Sequence, residues 1–237
     1  ERLHVADSDG TVYCVASNGE VQWQTGSQNV GNENSMPVVS GERVIFSGAA
    51  ELVVMDRNTG RITNRRALLS EESHLFGRRA VPYSAGYVYP TDNGLVLLDT
   101  NGSETGRTIS IPSGTKATPA VVSGRAYVAD QQGTIQVVDL DSERAIAQIS
   151  TGMSQPVAHA PAYGNGYLVF VGRRGTVAAV NTRNNQLVWE HRLPSGSGSF
   201  TDPVIHDGIV LVRARDELLA LSLSNGRVVF GPVSGVS

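Results

Sequence analysis

The chain has 237 residues, with 19 lysines and arginines against 22 aspartates and glutamates and a formal net charge of −3. That length suits one domain burying roughly 70–75% of its unfolded surface, and the lack of a basic excess argues against a dedicated nucleic-acid binder. Charged residues make up 17% and glycine 26 positions, against a usual ~25% charged and ~7% glycine, a combination that calls for many tight turns. No apolar run approaches the ~20 residues of a membrane span. The opening ERLHVADSDG does not read as a secretory signal, which leaves room for a leader or anchor outside this stretch. The single cysteine, Cys14, rules out an internal disulfide framework and reads as a small buried hydrophobe.

Six units of about 41 residues repeat along the chain, each a set of short alternating β-branched runs between glycine turns. Unit 1 (about 1–26) lacks a proline strand and runs from Leu3 through Ala16 and the Asn18-Gly19 turn to Trp23. Unit 2 (35–66) opens at Pro37, continues through Val44–Phe46 and Leu52–Met55 to Asp56, and turns at Thr59-Gly60. Unit 3 (80–107) starts from Pro82, resumes after Gly86, reaches Asp99 and turns at Asn101-Gly102. Unit 4 (117–148) runs from Pro119 through Tyr127–Ala129 and Ile135–Val138 to Asp139. Unit 5 (159–191) runs from Pro161 past Gly166 to Asn181 and Trp189. Unit 6 (201–237) runs from Pro203 past Gly208 to Ser222 and the Asn225-Gly226 turn. Each unit reads as four strands, A to D, with A missing from the first; four-stranded units repeated in this way predict an all-β propeller.

The proline, the two glycine turns, the Asp column (Ala16, Asp56, Asp99, Asp139, Asn181, Ser222) and an aromatic four residues after the turn position resemble the quinoprotein-type (PQQ-like) propeller repeat. That aromatic column holds Trp23, Asn64, Gly106, Ala147, Trp189 and Phe230, so the copies are degenerate. The resemblance implies a single six-bladed PQQ-like propeller spanning 1–237, or alternatively the visible part of a seven- or eight-bladed one. It also implies an extracytoplasmic setting. Repeats of this kind build the propeller lipoprotein of the bacterial outer-membrane β-barrel assembly machine, sensor ectodomains of membrane kinases, and quinoprotein dehydrogenases.

Chemistry is sparse. Glycine-turn acids such as Asp56, Asp99 and Asp139 read as turn caps that accept nearby backbone N–H groups. Trp23 and Trp189 read as blade-packing residues. The quinoprotein dehydrogenases of the resembled family use a Ca²⁺ site of several oxygens and often an adjacent cysteine pair; one cysteine excludes the pair. There is no GxSxG, P-loop, HExxH or CxxC, and His4, His74, His159, His191 and His206 lack metal-ligand spacing, so they read as satisfied or exposed. No catalytic residue, metal or cofactor is expected.

What remains is surface. In a propeller the B–C turns and D–A connections emerge together, which places Arg78, Arg79, Arg173, Arg174, Arg213 and Arg215 on one face, near His74 and among acids including Asp7 and Asp130. The longest connection, Ala67 to Arg79, carries His74, Leu75 and Phe76. Arginine favours bidentate carboxylate contacts and interface hot spots, and connections carry function more often than scaffold strands do. The expected partner-binding set is therefore His74, Leu75, Phe76, Arg78, Arg79, Arg173, Arg174, Arg213 and Arg215. The expected role is a non-enzymatic protein-interaction scaffold in the bacterial envelope, periplasmic or otherwise extracytoplasmic. Its partners would be proteins of an envelope assembly complex, with no nucleic acid and no membrane span in this chain. The alternative is a ligand- or dimerisation-sensing ectodomain of a membrane signalling protein, with a quinoprotein dehydrogenase third.

Overall fold

The computed structural model describes residues 2–7, 9–26, 36–47, 51–67, 79–105, 108–115, 117–153, 160–172, 174–193, 201–214 and 217–235. Among them the secondary structure is all strand, with no helix, arranged as one three-stranded and five four-stranded antiparallel sheets. The chain divides into two compact units, Glu1–Ser110 and Ile111–Ser237.

The first unit holds blades 1 to 3. Blade 1 has strands Arg2–Ala6, Thr11–Ala16 and Val21–Gly26, which correspond to B, C and D; among the described residues no strand A is paired with them. Blade 2 runs Val38–Ser40, Arg43–Ser47, Glu51–Asp56 and Ile62–Ala67, and blade 3 runs Val81–Tyr83, Gly86–Pro90, Gly94–Leu98 and Ile109–Ser110. The second unit holds blade 4 (Ala120–Val122, Arg125–Ala129, Ile135–Asp139, Arg144–Ile149), blade 5 (Ala162–Gly164, Tyr167–Val171, Thr176–Asn181, Gln186–Arg192) and blade 6 (Val204–His206, Ile209–Ala214, Glu217–Ser222, Val228–Ser234). Each four-stranded sheet is a plain meander in the order A-B-C-D.

Burial follows from this layering. The central strands lie between two other sheet faces, so both sides of their pleat must be apolar. Gly94–Leu98 and Glu51–Met55 are buried at every position, whereas the D strands alternate or face solvent. The core consists of apolar seams between consecutive blades. Val169, Val171, Val177 and Ala179 of blade 5 meet Val210, Val212, Leu219 and Leu221 of blade 6. Tyr127, Val137 and Ile135 of blade 4 meet Leu168, Phe170 and Val180 of blade 5. In the first unit, Val12 meets Val44, Phe46 and Val53, and Ile45, Leu52 and Val54 meet Tyr87, Tyr89 and Leu98. Truncating a buried leucine such as Leu52 or Leu221 to alanine would cost about 2–5 kcal/mol, because the rigid neighbouring sheet cannot collapse into the gap.

The aromatic column has a definite job at these seams. Trp23 Nε1 donates to the Arg57 carbonyl at 3.0 Å, and Trp189 Nε1 donates to the Leu223 carbonyl at 2.7 Å, in each case on the next blade. Each ring packs against that blade's turn glycine: a Cβ on Gly60 would sit 2.5 Å from Trp23 Cε3, and one on Gly226 would sit 2.5 Å from Trp189 Cε3. Both glycines also take a left-handed φ, +70° and +69°, so glycine is required there twice over. Blade 2 keeps the reach without the ring, Asn64 Nδ2 donating to the Asn101 carbonyl at 2.6 Å. Gly106, the third-blade member of the column, lies outside the described residues.

A bulge aims this column. In blades 1, 2, 4, 5 and 6 the C–D register slips at the same place, so that Cys14 faces Trp23, Val54 faces Asn64, Val137 faces Ala147, Ala179 faces Trp189 and Ala220 faces Phe230, and in blade 6 it slips a second time between Leu218 and Ala220. The extra residue, for example Val188 or Val229, stays exposed just before the docking position. A bulge increases local twist and re-aims the next side chain, which here points the column residue toward the neighbouring turn.

Candidate functional site

Of the nine residues expected to bind a partner, Arg79, Arg174 and Arg213 are placed; His74, Leu75, Phe76, Arg78, Arg173 and Arg215 lie outside the described residues. Arg79 precedes the first strand of blade 3, is half-buried, and its guanidinium contacts Met36 Sδ at 3.3 Å. In the second unit Arg174 is exposed in the B–C turn of blade 5, and Arg213 is half-buried near the end of strand B in blade 6, opposite Leu218. Both stand at the B–C end of their blades.

One of the acids expected among them is less available than the sequence suggests. Asp130 is buried, with Oδ1 accepting from the Gln132 and Thr134 backbone N–H groups at 2.9 Å each and Oδ2 accepting from Gln136 Nε2 at 3.0 Å. It is an internal turn cap, not a surface charge, which removes Asp130 from the mixed surface read from sequence, while Asp7 and Asp9 of blade 1 stay exposed. Asp7 repeats the geometry in blade 1: its Oδ1 accepts from Thr11 and Asp9 backbone N–H groups, and its Oδ2 accepts from Tyr13 Oη. The Thr11 N–H, above all, holds the Asp7 carboxyl below the ordinary range, and that carboxylate raises the Tyr13 phenol. Blade 5 has Gly172 where these caps stand, so Arg174 rises from a turn with no capping carboxylate.

The C–D turn acids behave as expected. Asp56 Oδ1 accepts from Asn58 N, Thr59 N and Thr59 Oγ1, and Asp139 Oδ1 accepts from Ser142 N and Oγ. The hydroxyl bond from Thr59 lowers Asp56, and that from Ser142 lowers Asp139. Asp99 and Asn181 cap their turns in the same way. His4 departs from its expected character. It is buried beside Trp23, with ring centroids 5.5 Å apart, and its Nε2 has no hydrogen-bond partner. Burial, above all, lowers its pKa.

Sequence reasoning missed the polar links between blades. Asp202 Oδ1 accepts from Ala160 N at 3.0 Å, Glu190 accepts from Gly152 N, and the Tyr127 hydroxyl reaches blade 5. A signal existed for the first: Asp202 and Ala160 each immediately precede a repeat proline, one period apart. Among the described residues no group of three or more His, Cys, Asp or Glu side chains is placed to hold a metal ion. None of their helices is long and apolar enough to cross a membrane, since there are none.

Comparison with known proteins points one way. The family model described as "Outer membrane protein assembly factor BamB" matches residues 146–233. The outer membrane protein assembly factor BamB of Moranella endobia (strain PCIT) is 28% identical over 120 residues, which is 46% of this chain and 30% of that protein. The crystal structure of BamB from Moraxella catarrhalis superposes with a TM-score of 0.78 at 16% identity, covering 99% of this chain and 74% of that one. The computationally designed Ika8 protein gives a TM-score of 0.72 at 15% identity over 98% of this chain and 73% of its own. These likenesses establish the fold over nearly the whole chain and sequence similarity over residues 146–233: the chain has a β-propeller fold and resembles the PQQ-like propeller BamB.

Proposed function

We propose that this chain is a non-catalytic protein-interaction scaffold of the bacterial cell envelope, working in outer-membrane protein assembly. The observation that carries the reading is the family match across blades 5 and 6, whose description and curated relative are both named as an outer membrane protein assembly factor. The turn chemistry supports it: the acids Asp7, Asp56, Asp130 and Asp139 are committed to capping backbone groups of their turns. The partner-binding residues we assign are, in the second unit, Arg173, Arg174, Arg213 and Arg215 of the B–C turns and, in the first unit, His74, Leu75, Phe76, Arg78 and Arg79 of the connection into blade 3. Arginines of this kind pair bidentately with carboxylates on a partner and concentrate binding energy. The setting is periplasmic or otherwise extracytoplasmic.

The test is capture from native envelope extract, with crosslinking and mass spectrometry, using the wild-type chain and an Arg174→Glu, Arg213→Glu variant. The expected result is an outer-membrane assembly protein crosslinked near residues 67–80, 172–175 or 213–217 and lost in the variant. Equal capture by both chains overturns the surface, and capture of no assembly protein overturns the scaffold in favour of a sensing ectodomain.

A further inference from the structure

A cleft lies at the other end of the strands in the second unit, away from the B–C turns. It has a volume of about 620 Å³ and opens between the A–B turns of blades 4 and 5 and the C–D turn of blade 5. Arg125, Tyr127, Tyr163, Asn165, Thr182 and Arg183 line it, and none of its lining residues is acidic. The volume falls within the ~300–1,000 Å³ of ordinary ligand sites.

The floor is built and fixed. Tyr127 Oη lies 3.1 Å from the Thr182 carbonyl and 2.8 Å from Asn185 Oδ1, and Thr182 donates from both N and Oγ1 to the Gly166 carbonyl at 2.9 and 3.0 Å. Arg183 N is held by Asn181 Oδ1 at 2.9 Å, which fixes the base of its side chain at the rim.

The two cations differ. Arg125 stands opposite Asp139 in the strand pairing, beside the Tyr127 phenol, so its charge is partly answered from within the blade. Arg183 is exposed, and no carboxylate pairs with it among the described residues. Tyr163 faces solvent at 53% exposure, an aromatic ring in a position where nothing structural requires one. One unanswered guanidinium beside an open aromatic face and a rigid polar floor suits a single carboxylate carried on an apolar or aromatic neighbour. A phosphate, doubly charged, would demand more than one free cation.

We propose that this cleft binds an acidic side chain of an extended peptide segment, with Arg183 gripping the carboxylate and Tyr163 packing on the residue beside it.

The probe is an acetylated, amidated pentapeptide with one glutamate between two phenylalanines, together with its glutamine counterpart, titrated against the whole chain by fluorescence anisotropy. The glutamate peptide is expected to bind about tenfold tighter than the glutamine peptide, the worth of one charge-assisted hydrogen-bond pair. Arg183→Ala is expected to erase that difference, Arg183→Lys to keep part of it, and Tyr163→Ala to weaken both peptides about fivefold. Both side chains are exposed, so the variants are expected to melt with the wild type. Equal binding of the two peptides, no saturable binding at millimolar peptide, or an Arg183→Ala chain that still discriminates overturns the proposal. Full competition by inorganic phosphate at concentrations where glutarate has no effect overturns the peptide carboxylate in favour of a free anion.

Discussion

Tyr127 and Asn185 meet across the seam between blades 4 and 5, the phenol oxygen 2.8 Å from the amide oxygen of the neighbouring turn. Tyr127, Val137 and Ala147 occupy one cross-strand row of blade 4, and the matching row of blade 5 is Val169, Ala179 and Trp189. Blade 5 places its large side chain on the outer strand, and blade 4 places it on strand B. Both reach the C–D turn of the following blade. Where a tryptophan covers the turn, as at Gly226, the turn residue is glycine; where Ala147 leaves the space open, Asn185 occupies it at φ +56° and receives the tyrosine. Blade 4 thus keeps the joint with its parts exchanged.

This arrangement predicts the cost of breaking the joint. Tyr127→Phe leaves the Thr182 carbonyl and Asn185 Oδ1 without their donor and should cost about 1–2 kcal/mol in urea unfolding. Combined with Asn185→Gly, the loss should be smaller than the sum of the single changes, because the partners share one interaction. Strict additivity would show that the bond contributes nothing.

The tryptophan joint should be costlier. Trp189→Ala is expected to lose about 3–5 kcal/mol through the cavity it leaves. Gly226→Ala should lose more than about 1 kcal/mol, from positive φ together with the ring lying 2.5 Å from the new Cβ. In a Trp189→Ala background the ring clash is gone and only the backbone strain remains, so the glycine substitution should cost distinctly less. A full thermodynamic cycle measured by denaturant unfolding checks this.

Stability in acid should depend on the turn caps. The folded pKa values of Asp56 and Asp139 lie below the ordinary value of 3.8. Their contribution is therefore present above the unfolded pKa and is lost as pH falls through the folded one. Asp139→Asn should be less stable than wild type at pH 7, and the gap should close as pH drops below about 4. A gap that stays constant with pH would remove the charged cap as its cause.

His4 gives a dependence in a different window. Its folded pKa lies below the ordinary 6.5 because burial disfavours the imidazolium. The unfolded chain takes up the proton first as pH falls, so stability contributed by neutral His4 is present above 6.5 and declines below it. A His4→Phe chain should show a flatter stability profile between pH 7 and 5 than wild type. Parallel profiles would mean that His4 is not the group titrating.

Much of the blade is local and was readable. Alternating runs, Asp caps two to four residues before their N–H partners, and glycine turns all act within one hairpin, so the repeat announces strand order. The candidate site was less legible. Asp130 looked like surface charge because a sequence shows its charge and not the Gln136 amide that covers it. The cleft was invisible for a related reason: Arg125, Tyr163 and Arg183 are far apart in the chain, and only the approach of two blades makes them neighbours.

The sequence by itself determined the period, the all-β class and the turn caps, because each is written in residues a few positions apart. The tertiary structure alone decided the joints. It set the recurrent bulge that points the docking column outward, let Tyr127 stand in for the aromatic missing at Ala147, and left Arg183 without an acidic partner among the described residues. Those outcomes depend on what the neighbouring blade presents at the same height, and a side chain's partner across a seam is fixed by packing rather than by its own position in the chain.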